Sequence, residues 1–302
     1  MTDLAVRFSH VQRRYGRVVA LDDVDLEVPR GVVLGLVGRN GSGKTTTLRL
    51  ISGLLHPDRG KIEVLGFDPV SSGLEVRRRV SYMPEESALY PWMTVDELLR
   101  FAGRTHPRWD ADLAARLARR LDLPGGARVG TLSRGMRAKA ALVAAAACRC
   151  ELLLLDDPAS GLDPLVRREI LEAILEAIPA EGGTVVFASH LIQDIERVAD
   201  HVVLLDGGRV RLQESVERLK AHFRRATAVF ADEAPSDPAP LTDLLEWRAE
   251  GRTLSLIARS RNGELRSRLR ALGATHVDIE PLALEDIVIA TLRGRSSSGD
   301  RL

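Results

Sequence analysis

Aromatic residues are scarce in this chain: six Phe, three Tyr and three Trp make up 4% of its 302 residues. Cysteine is scarcer, with Cys148 and Cys150 the only two and standing two apart. That pattern excludes a disulfide framework and, without other clustered ligands, a zinc site, so the pair reads as reduced thiols near a helix end. Net charge is almost absent as well, since 43 Lys and Arg against 42 Asp and Glu leave +1. The basic excess by which nucleic-acid binders hold a polyanion is missing, and no nucleic-acid partner is expected. No segment approaches the roughly 18 uncharged apolar residues of a membrane span. The richest apolar zone, Ala138 to Leu155, is broken by Lys139, Arg149 and Glu151, and Met1 to His10 lacks the apolar core of a signal peptide. The chain reads as soluble and cytoplasmic.

What is present suits a globular protein with one large core and one smaller one, at 45% hydrophobic and 28% charged residues. Leu4 to Val11, Val24 to Val28 and Val32 to Val37 read as strands, the last running into a glycine-rich turn and a helix from Lys44 to about Leu54. Strand patterns follow at Lys61 to Leu65 and Val80 to Met83. From about 85 to 150 the pattern becomes helical, with a capping box at Thr94-Val-Asp-Glu97 and leucines at 113, 117 and 121. Strands at Leu152 to Leu155, Thr184 to Ser189 and Val202 to Leu205 then alternate with helices Pro164 to Ile178 and Leu191 to Ala199, and Asp206-Gly-Gly-Arg209 closes a hairpin. This is the rhythm of a parallel sheet flanked by helices. The expected fold class is α/β, with domain 1–225 carrying a helical insertion and an N-terminal antiparallel β subdomain.

A Pro235-Ser-Asp-Pro-Ala-Pro240 stretch supports neither helix nor ladder and reads as a loop or linker. Around it, strands at Ala226 to Ala231, Leu244 to Ala249, Thr253 to Arg259 and Thr275 to Glu280, with helices carrying Leu265 and Leu269 and spanning Ala283 to Leu292, predict a small α+β domain over 226–293, a split βαβ module. Residues 294–302 read as a disordered tail.

The chemistry lies in the first domain. Gly38-Arg39-Asn40-Gly41-Ser42-Gly43-Lys44-Thr45, followed by Thr46, has P-loop spacing between an apolar strand and a helix. Its glycines let backbone N–H groups converge on a phosphate at a helix N-terminus. Lys44 is placed to bridge β- and γ-phosphates, and the Thr45 hydroxyl to ligate Mg²⁺. The buried strand Leu152 to Leu155 delivers Asp156 to the sheet's carboxyl edge, as the water-mediated Mg²⁺ partner. These features specify a P-loop NTPase.

Leu132-Ser-Arg-Gly-Met136, Ser160-Gly-Leu-Asp163 and His190 follow in an order that resembles the ATP-binding subunit of ABC transporters, over about residues 4 to 225. The resemblance implies bound ATP and Mg²⁺, with Tyr15 stacking on adenine. It makes Tyr82-Met-Pro-Glu85 the loop whose usual glutamine touches Mg²⁺ and the attacking water. Glu85 stands there instead, adding negative charge near the metal and losing the amide donor. Ser133 and Gly135 are retained from the family signature and imply contact with a γ-phosphate held by another subunit. His190 matches the γ-phosphate histidine. Asp163 matches the residue coupling two sites across a dimer, and by itself reads as an N-cap before Pro164. Asp157 takes the place of the glutamate that polarises the attacking water, so slow but nonzero ATPase activity is expected.

The implied partners are polytopic membrane subunits encoded separately and a second ATPase subunit, in a homodimer or a pseudo-symmetric heterodimer, peripheral on the inner face of the membrane. Leu89, Tyr90, Trp92 and Met93 are candidates for the membrane-subunit groove, with internal packing the alternative. Rival readings are a chromosome-structuring ATPase, which requires a long heptad insertion absent here, and a translation-type protein with two cassettes in tandem, where this chain has one. A weakly hydrolysing, nucleotide-gated regulator remains the alternative function. Leu284-Glu-Asp-Ile287 resembles the tails of exporter-type ATPases and suggests a regulatory or dimer-stabilising role for the second domain.

Overall fold

Alternating apolar residues put Val6, Phe8 and Val11 on the buried face of β1 (Leu4–Tyr15), and Leu21, Val24, Leu26 and Val28 on that of β2 (Val18–Pro29). The two strands form an antiparallel hairpin closed between Tyr15 and Val18, and β4 (Arg59–Val64) pairs with the other side of β1. The sequence pattern ends β1 at Val11 and starts β2 at Val24. The strands run further because the charged, non-alternating residues between remain paired through successive register shifts. The structure, a computed structural model, describes residues 3–86, 89–178, 183–236, 238, 241, 244–260 and 263–293.

A second sheet has the order β5-β6-β7-β3-β8-β9. Its members are β3 (Val33–Val37), β5 (Val80–Met83), β6 (Leu152–Asp156), β7 (Thr184–Ser189), β8 (His201–Asp206) and β9 (Arg209–Ser215). Every residue of β3, β6 and β7 is buried, which explains their unbroken apolar sequences: helices cover both faces of a parallel sheet. The pairings β3/β7, β3/β8, β5/β6 and β6/β7 are all parallel. Parallel strands finish at the same edge, so the segments after β3, β5, β6 and β7 are delivered side by side. Helices α1 (Lys44–Ile51), α6 (Pro164–Ala177) and α7 (Ile192–Val198) flank this sheet; α2 (Gly73–Arg77) is a single turn that the pattern did not mark.

The insertion consists of α3 (Val95–Thr105), α4 (Ala111–Arg120) and α5 (Arg134–Ala146). Leu113 and Leu117 of α4 and Leu121 just after it are fully buried, as their spacing implies. The capping box forms at the start of α3: Glu97 N donates to Thr94 Oγ1 at 3.2 Å and Thr94 N to Glu97 Oε2 at 2.9 Å. Thr94→Ala removes one of these bonds and leaves a helix-end donor open, so it lowers the unfolding free energy by about 1 kcal/mol. Urea denaturation followed by circular dichroism checks this; an unshifted midpoint would show that the box adds no stability.

The chain divides into two compact units, Met1–Gln213 and Glu214–Leu302. The sequence reading put the change near residue 225. The division falls earlier because α8 (Val216–His222) is built into the second unit, with Val216 and Leu219 buried and contacts to the strand that follows it. That unit contains β10 (Phe223–Phe230), β11 (Leu244–Glu250), β12 (Thr253–Arg259), α9 (Glu264–Ala271), β13 (Ala274–Pro281) and α10 (Leu284–Arg293). Its sheet order is β11-β12-β10-β13, every pair antiparallel. Both β12 and β13 oppose β10, so they run parallel to each other with β10 between them, and α9 connects them: a split βαβ unit. Leu265 and Leu269 of α9 pack into its core against Ala226, Leu254, Leu256 and Val277. The tail 294–302, and part of the Pro235 to Pro240 segment, lie outside the described residues.

Candidate nucleotide-binding site

The turn after β3 wraps back on itself before α1 begins. Ser42 N donates to Arg39 O at 3.1 Å, and Lys44 Nζ donates to Gly38 O at 2.7 Å and Arg39 O at 3.2 Å. Gly43 caps α1 with φ of 107°, and a Cβ there would fall 2.6 Å from Ala20 O, so only glycine fits this close approach. Lys44 is buried in the turn. Burial pushes its ammonium below the usual lysine range, while the charges of Asp157, Asp156 and Glu85 oppose that shift. The buried Ser42 Oγ has no hydrogen-bond partner among the described residues. An anion seated in the turn would satisfy it, and the turn thus fits a phosphate.

The end of β6 places Asp156 opposite α1. Its Oδ1 accepts from Thr45 Oγ1 at 3.1 Å and its Oδ2 from Tyr82 Oη at 3.1 Å. Burial raises the Asp156 carboxyl above its ordinary value, countered by these two hydrogen bonds. Tyr82 is pushed up to about 12, first by burial and then by the Asp156 charge, so it stays a donor. Asp157 follows in a left-handed conformation, φ 47°, with its backbone N–H bonded to Ala188 O at 2.9 Å. Its carboxylate hydrogen-bonds directly to His190 Nδ1. Asp and Asn tolerate this backbone region better than longer residues.

These groups border one cleft of about 480 Å³. Asn40, Gly41, Gly43, Lys44, Thr45 and Thr46 line its floor, with Glu85, Asp156, Asp157 and His190 at the phosphate end. Tyr15, 43% exposed, stands at the rim with the Arg13 guanidinium 5.1 Å from its ring centre. The sequence-predicted P-loop, acidic and histidine residues are therefore brought together. Ser133 and Gly135 are not among the lining residues: Ser133 caps α5, accepting from Met136 N at 3.2 Å. Asp163 caps α6, its Oδ1 accepting from Leu165 N at 3.0 Å and Val166 N at 3.1 Å, as its place before Pro164 implies.

Comparison with known proteins gives the same assignment. A family model described as ABC transporter matches residues 21–160. The daunorubicin resistance ATP-binding protein DrrA3 of Streptomyces coeruleorubidus is 34% identical, over 94% of this chain and 93% of its own length. The chain belongs to the ABC transporter ATP-binding proteins. The ABC transporter ATP-binding protein NatA of Bacillus subtilis is 34% identical over 72% of this chain and 90% of its own. The Nod factor export ATP-binding protein I of Cupriavidus metallidurans is 32% identical over 96% and 97%. Among solved structures, an ATP-binding subunit of an ABC transporter superposes with a TM-score of 0.64 at 30% identity, covering 72% of this chain and 92% of its own. A dimeric bacterial cassette, MJ0796, has the same fold at 22% identity and a TM-score of 0.62. As a member of this family the cassette binds ATP, hydrolyses it, and powers transport by separate membrane-spanning subunits.

Two residues that line the cleft, Val18 and Ala20, belong to no element or motif that the sequence marks. Tyr82, which the resemblance places in the Tyr82-Met-Pro-Glu85 loop, makes a contact that the sequence does not show. Tyr82 reaches Asp156 because β5 and β6 are parallel neighbours in register, Tyr82 opposite Leu154. No local pattern in the sequence carries that adjacency.

Proposed function

We propose that two copies of this cassette close face to face around two molecules of ATP, and that cycles of closure and hydrolysis drive a membrane exporter. The observation that carries the reading is the incomplete cleft: every phosphate-handling motif borders it except the signature, Ser133 and Gly135. A second copy would supply them, with the N-terminus of α5 facing the γ-phosphate. Lys44 neutralises the phosphates, Tyr15 offers the ring face not taken by Arg13 to adenine, and His190 holds the γ-phosphate end. Asp157 orients and accepts a proton from the attacking water, with its own carboxylate held by His190. The donor set of Thr45, Asp156 and Glu85 is all oxygen, which fits Mg²⁺ shared with phosphate oxygens. When bound, Mg²⁺ would neutralise charge on the β- and γ-phosphates.

An exporting direction is supported by two relatives that match nearly end to end, one named for daunorubicin resistance and one for Nod factor export. No described helix is long and apolar enough to cross a membrane, so attachment would be peripheral, at the inner face. Exposed rings supply a docking feature: Trp92 is 66% exposed, and Tyr90 lies 5.2 Å from Trp92 and 5.5 Å from Phe101 between ring centres. Leu89 instead packs against Leu98, Val129 and Ala140 inside the helical insertion. The second unit is read as a regulatory or dimer-stabilising module. Reconstitution in liposomes with the membrane protein that co-purifies with the cassette tests the proposal. ATP turnover is expected to rise several-fold on reconstitution; turnover indifferent to the membrane partner would favour a nucleotide-gated regulator.

A further inference from the structure

The signature of this cassette departs from the family pattern at its third position, where Arg134 stands, and that guanidinium does not project freely. A Cβ built on Gly161 would lie 2.7 Å from Arg134 Nη1, 2.9 Å from Cζ and 3.0 Å from Nη2. All three atoms crowd one point, so the guanidinium occupies the space a Cβ at position 161 would enter, and a side chain there would have to displace it. Gly161 has φ of 65° and belongs to the turn that links β6 to α6: Ser160 N bonds to Asp157 O at 3.0 Å and Leu162 N to Ala159 O at 3.3 Å.

Around this contact the start of α5 is seated on the start of α6. A Cβ on Gly135 would be 3.2 Å from Val166 Cγ1. Further along, the buried Lys139 of α5 forms an ion pair with Glu169 of α6 at 2.6 Å. Arg134 itself makes no ion pair or hydrogen bond among the described residues. It borders a cleft of about 340 Å³ together with Glu85, Glu86, Asp157 and Ser160. Its contribution on that wall is therefore shape and an uncommitted positive charge, placed against the turn that carries Asp157 at one end and Asp163 at the other.

We propose that Arg134 is a positioning residue for ATP hydrolysis, its guanidinium holding the Asp157 to Asp163 turn through the space that Gly161 leaves open. The proposal rests on the reading of Asp157 as the group that orients water. A departure in the signature, Arg134, thereby meets a residue of a retained motif, Gly161: the guanidinium fits because residue 161 has no side chain.

A double-substitution cycle in the full chain tests it, measured as steady-state ATP turnover, with ATP affinity and melting temperature recorded for each variant. Arg134→Gly is expected to lower kcat about tenfold with KM and ATP affinity unchanged, because the turn is loosened while the P-loop is untouched. Gly161→Ala should lower kcat by a similar factor, since its methyl group displaces the guanidinium and alanine is also strained at φ 65°. The double variant keeps that backbone strain but not the collision, and should be no slower than the slower single one. Arg134→Lys, which keeps the charge but loses the planar group, should fail to restore kcat. Multiplying effects in the double variant, a normal rate in Arg134→Gly or full activity in Arg134→Lys would overturn the pairing. Loss of ATP affinity in Arg134→Gly would overturn it in favour of direct nucleotide contact. Asp157→Asn run alongside separates the two readings: normal turnover there removes the role given to Asp157, and non-additivity between positions 134 and 161 is judged independently of it.

Discussion

Lys44→Ala is expected to weaken ATP binding by on the order of 100-fold or more, corresponding to about 3 kcal/mol, while the protein stays folded. The size follows from the company Lys44 keeps. Its ammonium is the cation facing Asp156, Asp157 and Glu85, and it bonds to Gly38 O and Arg39 O inside the phosphate turn. Without it, an incoming triphosphate meets carboxylates and open carbonyls, and loses charge-assisted hydrogen bonds worth about 1.5–3 kcal/mol each. Stability moves the other way. Burial lowers the Lys44 pKa, so the charged form is disfavoured by folding at every pH below that lowered value, and removing it leaves the melting temperature unchanged or raised. Titration with a fluorescent ATP analogue, paired with thermal melts, measures both. Affinity within about threefold of the parent protein would refute the assignment.

Asp157→Asn is expected to abolish most turnover, on the order of 10²–10⁴-fold, with ATP affinity retained or improved. The amide cannot accept the proton of the attacking water, and one carboxylate is removed from beside the phosphates. Asp157→Glu should act in the opposite direction. The aspartate carboxylate is short, lies against His190 Nδ1 and is held from behind by the Asp157 N to Ala188 O bond. One more methylene advances the carboxylate into the cleft by roughly 1 Å, a displacement worth on the order of 10²-fold when positioning is the main source of catalysis. Part of that gain is offset because glutamate is less comfortable than aspartate at φ 47°. Phosphate release by the two variants and the parent, at saturating ATP, decides the matter. A glutamate variant slower than the parent would show that carboxylate length does not limit the reaction.

Much of this site is legible in the sequence, for a specific reason. The P-loop is local: the turn, its glycines, Lys44 and Thr45 are contiguous, and a strand and a helix on either side fix their geometry. Asp156 was readable because β6 is an unbroken apolar run ending in a carboxylate. The Asp163 cap was readable from Pro164 beside it. The signature motif carries the family resemblance, although within one copy the Ser133 side chain caps α5 and Gly135 leaves room for Val166.

Other features were illegible because they depend on which strands are neighbours. Tyr82 meets Asp156, 74 residues away, only because β5 is paired in register with β6. The sequence pattern changes near residue 225, whereas the compact units divide at Gln213, since α8 packs with the second unit, a contact that no local pattern carries. Residues 12–23 give no strand signal in the sequence because bulges break the alternation by which strands are recognised, although pairing continues through them.

By itself, then, the sequence determined that a phosphate turn, a carboxylate at a strand end and the family's signature motif exist in one chain, since each is a contiguous stretch of residues. The tertiary structure decided that Asp157 lies on His190, that Tyr82 holds Asp156, and that Arg134 fills the space over Gly161. Those contacts join residues 27 to 74 positions apart, and parallel strand order and helix seating, rather than local periodicity, bring them together.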